Sequence, residues 1–314
     1  MDNNDRSIDL SYHFARKKGR RSAVAHHSTG SVSIILYFLN TAVMFPMFPL
    51  IGLFKLLPLA PWRAACNFIL DNLATLWISI NNLNMKITKR IHWEVTGLEG
   101  LNPREWYLVI SNHQSWADIL VLQKVFNRKI PFLKFFLKKE LIWVPLMGIA
   151  WWALDFPFMK RYSGAFLKKF PHLRGKDIEI TRKACEKFKH IPVSVMNFIE
   201  GTRFTEEKHR RQNSPFTNLL KPRAGGMAFV LTAMGGEKMK KILNVSICYP
   251  EGIKSFWDFL CGGVPSVKVH IEELAITKEL QGDYLDNEKF REEFQEWVNR
   301  LWMEKDLRLS AMSL

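Results

Sequence analysis

Along the chain the apolar positions change rhythm three times. Residues 31–57, SVSIILYFLNTAVMFPMFPLIGLFKLL, carry a single charge, Lys55. A run of about 20 apolar residues is enough to span a bilayer, and this one exceeds a signal-peptide core of about 7–15 residues. Pro46 and Pro49 interrupt it, so a kinked or re-entrant segment fits as well as a straight span. Over 64–83, Ala65, Phe68, Ile69, Leu73, Leu76, Trp77, Ile80 and Leu83 recur at helical spacing, while Asn67, Asp71, Thr75 and Ser79 fall on the other side. That spacing predicts an amphipathic helix, for a membrane surface or for packing on the first segment; packing on a soluble core is the third option. After residue 90 the rhythm becomes that of strands over 92–96, 106–110, 193–198, 243–248 and 266–271, with helices over 116–126, 177–190, 225–234 and 287–303. This alternation predicts an α/β domain, a mixed β-sheet flanked by helices. The chain thus divides into a basic flexible tail over 1–30, an N-terminal helical membrane anchor over 31–86, and an α/β domain over 90–314.

Charge sharpens this division. The net charge is +15, and from Val121 to Arg223 there are 22 Lys/Arg against 8 Asp/Glu. From Ile271 to the end there are 6 against 11. A basic field in the middle of the chain attracts phosphates, whether of nucleic acid, anionic lipid or a phosphorylated substrate. Basic residues lie on both sides of the apolar run: Arg16 to Arg21 before it, then Arg63, Lys86, Lys89 and Arg90. The excess of Lys/Arg on cytoplasmic flanks then favours a re-entrant or hairpin anchor with the main domain on the cytoplasmic face; for a bacterial host, that is the inner membrane. The four Cys form no C-x-x-C pair and no His stands at metal spacing, which predicts reduced thiols and no metal site.

Two polar clusters carry candidate chemistry. In Ser111-Asn-His-Gln-Ser-Trp-Ala-Asp118, His113 and Asp118 are five residues apart. Positions i and i+5 on one helix do not share a face, so the two can cooperate only if His113 sits in a turn ahead of a helix. Ser115-Trp-Ala-Asp118 has the form of a capping box, which would start a helix near Ser115 and put Asp118 in its first turn. A chance pair next to an ordinary strand–turn–helix is the plainer reading of these residues alone. The second cluster, Glu200-Gly-Thr-Arg203, follows the buried-strand pattern of Pro192–Ile199. Ligands bind at strand ends in open α/β sheets, glycine admits close approach, and arginine grips phosphate with two donors; a turn with a surface ion pair is the alternative. Between the clusters, residues 141–159 read as an apolar floor with cations at both ends, Lys138-Lys139 and Lys160-Arg161.

Taken in order, these blocks resemble the PlsC-type glycerolipid (1-acylglycerol-3-phosphate) acyltransferases. Asn112-His-Gln-Ser-Trp-Ala-Asp118 is like the family's N-H-x4-D, Lys138 through Arg161 like its second block, Phe198-Ile-Glu-Gly-Thr-Arg203 like F-P-E-G-T-R, and Leu219-Leu-Lys-Pro-Arg-Ala-Gly-Gly226 like the basic block downstream. The wording from Glu200 to His209 is most similar to the branch of the bacterial YihG and lysocardiolipin-type enzymes. Departures are Ile199 in place of proline, Phe158-Met-Lys-Arg161 in place of F-I-D-R, and Leu243–Ile247 without its proline. The resemblance implies a membrane-bound enzyme that moves a fatty acyl group from acyl-CoA or acyl carrier protein to a lysophospholipid hydroxyl, with no cofactor. It implies His113 as general base and Asp118 as its orienting acid. Glu200, Gly201 and Thr202 would position the glycerol, and Arg203, Lys138 and Arg161 would neutralise its phosphate. An anionic membrane surface is the expected partner and nucleic acid is not, since no RNA- or DNA-binding signature is visible. A non-catalytic lipid-binding protein and a hydrolase with the same His/Asp pair are the rival readings.

Overall fold

The computed structural model describes residues 26–159, 188, 191–236, 238–284 and 286–314. The expected helix over 177–190, Phe188 apart, and the cations Lys160 and Arg161 lie outside these residues. The α/β domain has a six-stranded mixed sheet ordered β1-β8-β7-β2-β6-β3, with β1 His92–Thr96, β2 Trp106–Ser111, β3 Leu133–Phe135, β6 Ser194–Phe198, β7 Met239–Cys248 and β8 Ser266–Ala275. Strands β7, β2, β6 and β3 are mutually parallel, and β8 runs antiparallel to β7. A parallel strand covered on both faces must be apolar throughout, and Tyr107 to Ile110 of β2 have no exposed surface. Alternation then sends Leu108 and Ile110 to one core, under α7 (Gly225–Met234) and α9 (Glu288–Met312), and Tyr107 and Val109 to the other, under α4 (Ala117–Phe126). Two short helices, α6 (Glu206–Gln212) and α8 (Phe256–Leu260), lie in the connections. Two residues of β4 (Leu137–Lys138) pair with β5 (Phe158–Met159) around α5 (Met147–Ala153).

The N-terminal part is helical from residue 26, earlier than the expected end of the tail. α1 (26–44) and α2 (Met47–Phe54) are separated by a two-residue turn at Phe45-Pro46, and Pro49 falls in the first turn of α2, where a missing N–H is harmless. The stretch His26–Phe54 is long and apolar enough to cross a membrane, with a mean hydropathy of 1.9 in its best window. α3 runs Ala60–Thr88, longer than the predicted 64–83, and its faces are used differently from the expectation. Phe68, Ile69, Leu76, Ile80 and Leu83 are exposed, while Asn81 and Asn84 are buried. Those asparagines join α3 to α1: Asn40 Nδ2 donates to Asn81 Oδ1 at 2.7 Å, and Asn84 Nδ2 to the Ser33 carbonyl at 3.0 Å. The supposedly outward polar side meets the α/β domain instead, through Asp71–Lys134 at 3.5 Å and Asn127 Nδ2 donating to Ser79 Oγ at 3.0 Å.

Candidate active site

Because β2, β6 and β7 are parallel, their carboxyl ends lie along one edge. Ser111 is level with Phe198 on one side and Val245 on the other. Two residues past Ser111 comes His113, two past Phe198 comes Glu200, and one past the end of β7 comes Tyr249. Asn112 fixes the chain as it leaves β2: its amide donates to the Ile247 carbonyl at 2.8 Å and accepts from the Ile247 N–H at 2.9 Å.

The backbone then turns, and α4 begins at Ala117 with Asp118 in its first turn. The capping expected at Ser115 is present in part. Ser115 N–H donates to Asp118 Oδ2 at 2.8 Å, and Ser115 Oγ accepts from Ala117 N–H at 3.2 Å. Asp118 Oδ2 also accepts from Gln114 N–H at 2.6 Å and lies 2.8 Å from His113 Nδ1. Its Oδ1 accepts from the Tyr249 hydroxyl at 2.6 Å. Asp118 accepts from Nδ1–H in the tautomer whose Nε2 is an acceptor. Burial and the Asp118 charge hold the Tyr249 phenol well above its ordinary range, so it stays a donor. The Phe198 ring stacks on the imidazole with centroids 4.0 Å apart.

Glu200 is fully buried. One carboxyl oxygen accepts from His113 N–H at 2.7 Å and the other from Leu220 N–H at 2.9 Å. Expected from sequence to touch glycerol, Glu200 instead ties the histidine's own backbone to the 219–224 segment. Burial pushes its carboxyl up to about 8, against the two N–H donors and the neighbouring Lys305, which pull the other way. Gly201 has φ +72°, open to glycine but strained for other residues, and a β-carbon there would meet Arg223 Cδ at 3.3 Å. Thr202 Oγ1 accepts from Lys208 Nζ at 2.8 Å, and Lys208 also donates to the Arg203 carbonyl at 2.9 Å. The Arg203 guanidinium lies 4.0 Å over the Trp116 ring, beside the His113 turn. Lys138 is exposed at the end of β4.

A cavity of about 300 Å³ reaches His113 and Phe198 and continues between α1, α3, α4 and α5. Its walls are mostly apolar, among them Phe45, Trp77, Phe135, Met147 and Leu154. Among the described residues no group of three or more His, Cys, Asp and Glu is placed to hold a metal ion. Tyr249, Asn112, Phe198 and Lys208 were missed from sequence. Tyr249 gave no signal, being 131 residues from Asp118; Asn112 and Phe198 stood inside the quoted motifs but look like spacers there.

The structure of the 1-acyl-sn-glycerophosphate acyltransferase PlsC from Thermotoga maritima is similar in fold, with a TM-score of 0.50 at 19% identity over 86% of this chain and 95% of that one. Sheet, family model and relatives together mark a glycerolipid acyltransferase of the PlsC type. The chain belongs to the Acyltransferase family, whose family model matches residues 92–249, about half of its length. Among relatives, lysocardiolipin acyltransferase 1 of Danio rerio is 24% identical over 90% of this chain and 71% of its own. The 1-acyl-sn-glycerol-3-phosphate acyltransferase alpha of Homo sapiens is 30% identical over 38% of each chain.

Proposed function

We propose that this protein is membrane-bound and transfers a fatty acyl group from acyl-CoA or acyl carrier protein to 1-acyl-sn-glycerol-3-phosphate, giving phosphatidate. The observation that carries this reading is the Asp118-braced imidazole at the mouth of an apolar cavity. A glycerol hydroxyl is a poor nucleophile at neutral pH and needs a base with a pKa near 7. His113 Nε2 takes its proton as the oxygen attacks the thioester carbonyl. The C–S bond then breaks, the new ester C–O bond remains, and the imidazolium returns the proton to the leaving thiolate. Asp118 keeps the tautomer and stabilises the imidazolium, as the acid does in a hydrolase triad. The substrate supplies the attacking oxygen, so no protein nucleophile and no cofactor enter.

The cavity accepts the acyl chain, while Arg203, Lys138 and Arg161 neutralise the phosphate; Lys208, bonded to Thr202, adds a fourth cation. Glu200 serves as a positioning residue for His113, and Gly201 leaves room above the turn. The exposed apolar faces of α1 to α3 sit in the bilayer, and flanking cations keep the α/β domain on the cytoplasmic side, at the inner membrane if the host is bacterial. A second reading, in which the acceptor is another lysophospholipid of lysophosphatidylglycerol or lysocardiolipin type, is favoured by the Danio rerio relative that aligns with 90% of this chain.

Membranes supplied with acyl-CoA and a panel of lysophospholipids, followed by release of free thiol, distinguish the two acceptors. His113→Ala and Asp118→Ala are each expected to lower transfer by about 100-fold or more, the scale of acid–base catalysis at about 10²–10⁴. Folded variants with near-normal turnover would remove the histidine from the mechanism.

A further inference from the structure

A second apolar surface lies outside the N-terminal helices. In the turn before α5, Trp143 is 84% exposed, and Ile149 and Trp152 on α5 are exposed as well. Contiguous exposed hydrocarbon of this kind marks an interaction surface, and tryptophan favours sites with one apolar and one wet side. The backbone beneath it is specially built. Leu146 has φ +65° and ψ −58°, and Met147 N–H donates to the Pro145 carbonyl at 2.7 Å, a γ-turn of the rare, strained hand. Gly148 packs so closely that a β-carbon would fall 1.9 Å from the Ile142 carbonyl oxygen. Strain in a non-glycine residue persists where the surroundings over-determine it, and it clusters at functional segments.

The opposite side of α5 faces the site. Met147, Ala150, Trp151 and Leu154 line the cavity that reaches His113. α5 is also fastened to α2. Lys55 donates to the Ala153 carbonyl at 3.1 Å and pairs with Asp155, so the one charge of the 31–57 run is neutralised there. A β-carbon on Gly52 would lie 2.9 Å from Ala153 Cβ, so the two helices meet without a gap. α5 therefore sits beside α2, whose Leu50 and Leu53 are exposed, and Lys138, Lys139 and Glu140 are exposed in the chain before it.

We propose that Lys139–Ala153 is a second membrane-inserted element. Trp143, Ile149 and Trp152 enter an anionic phospholipid bilayer, and α5 forms the wall between lipid and cavity past which an acyl chain moves sideways to His113. This rests on the membrane-bound reading above. The occupant is lipid because α5 packs directly on α2 of the apolar N-terminal stretch and its other side backs onto a cavity suited to hydrocarbon.

The test uses the full chain with Cys185→Ser and Trp143→Cys. Since Cys66, Cys248 and Cys261 are buried, an environment-sensitive fluorophore is attached to the introduced thiol, and the labelled protein is bound to phosphatidylglycerol/phosphatidylethanolamine vesicles. Blue-shifted emission, quenched several-fold more by nitroxide-bearing lipid than by aqueous iodide, is the expected result. Iodide quenching unchanged by vesicles overturns the proposal. So does a blue shift without nitroxide quenching, which would mean that a second copy of the chain covers the patch. Trp143→Glu and Ile149→Glu should raise the apparent KM for bilayer-borne acceptor about tenfold and leave transfer to a water-soluble short-chain lysolipid unchanged; equal effects on both acceptors, or none, count against it. Fluorophore depth needs no turnover, so an inactive wild type would defeat the acyltransfer mechanism while leaving this inference to be decided on depth alone.

Discussion

Asp118 has no exposed surface and accepts four hydrogen bonds, from two backbone amides, an imidazole and a phenol. Such a carboxylate is fixed by its donors, and it fixes His113 in turn. Glu200 does the same for the backbone of that histidine, at the expense of burying an acid. Its consequence is a pH dependence of stability. In the unfolded chain Glu200 ionises near its ordinary 4.5, and in the folded protein near about 8. Between those values the unfolded chain sheds the proton first, so stability falls as pH rises across the window. Glu200→Gln lacks that term. The advantage of wild type over Glu200→Gln in thermal midpoint should therefore shrink steadily from pH 5 to 8, and a constant or widening gap would contradict the raised carboxyl. At this scale the sequence displayed His113, Asp118, Glu200 and Arg203 as chemistry-bearing residues. It could not show that Glu200 faces two amides instead of a ligand, because the donors come from positions 113 and 220.

Among the elements, α9 shows how a helix can serve a site from behind the segment that builds it. The apolar stripe predicts its end at 303; it continues to Met312, with Lys305 and Asp306 both buried. Asp306 accepts from Thr217 and Asn218 N–H, both at 2.7 Å. Trp302 Nε1 donates to the Leu220 carbonyl at 3.1 Å, and Lys305 donates to the Val245 carbonyl of β7. Burial holds the Lys305 ammonium well below its ordinary range. The helix thus clamps the segment whose Leu220 N–H holds Glu200. Asp306→Ala leaves two amides without their acceptor and is expected to destabilise the fold by about 1–3 kcal/mol, measured by denaturant unfolding in detergent; an unchanged midpoint would show the clamp to be idle. Strands β2, β6 and β7 were legible because doubly covered strands are continuously apolar. Short β3 and the pair β4–β5 were not, since two or three residues are too few to display a period.

For the whole molecule, the decisive feature is two surfaces of different chemistry, one apolar and one basic. The N-terminal helices show hydrocarbon outward and bury Asn81 and Asn84, and the α/β domain carries most of the positive charge. Binding to vesicles containing anionic lipid should accordingly weaken as salt rises from about 0.05 to 0.5 M, as the screening length falls through about 10 Å at 0.1 M, while a residual salt-resistant fraction reports the apolar anchor. Binding indifferent to both salt and lipid charge would separate the basic field from the membrane. Sequence by itself determined the long apolar N-terminal stretch, the alternation of strands and helices, and the order of the polar clusters, because each is written in local period or in adjacent residues. Tertiary structure alone decided which face of α3 packs on the α/β domain and which stays exposed, that Tyr249 and Glu200 converge on the His113 turn, and that α5 lines the cavity. Those outcomes depend on groups far apart in the chain meeting at the common edge of parallel strands, where hydrogen bonding and burial, not local pattern, select the partner.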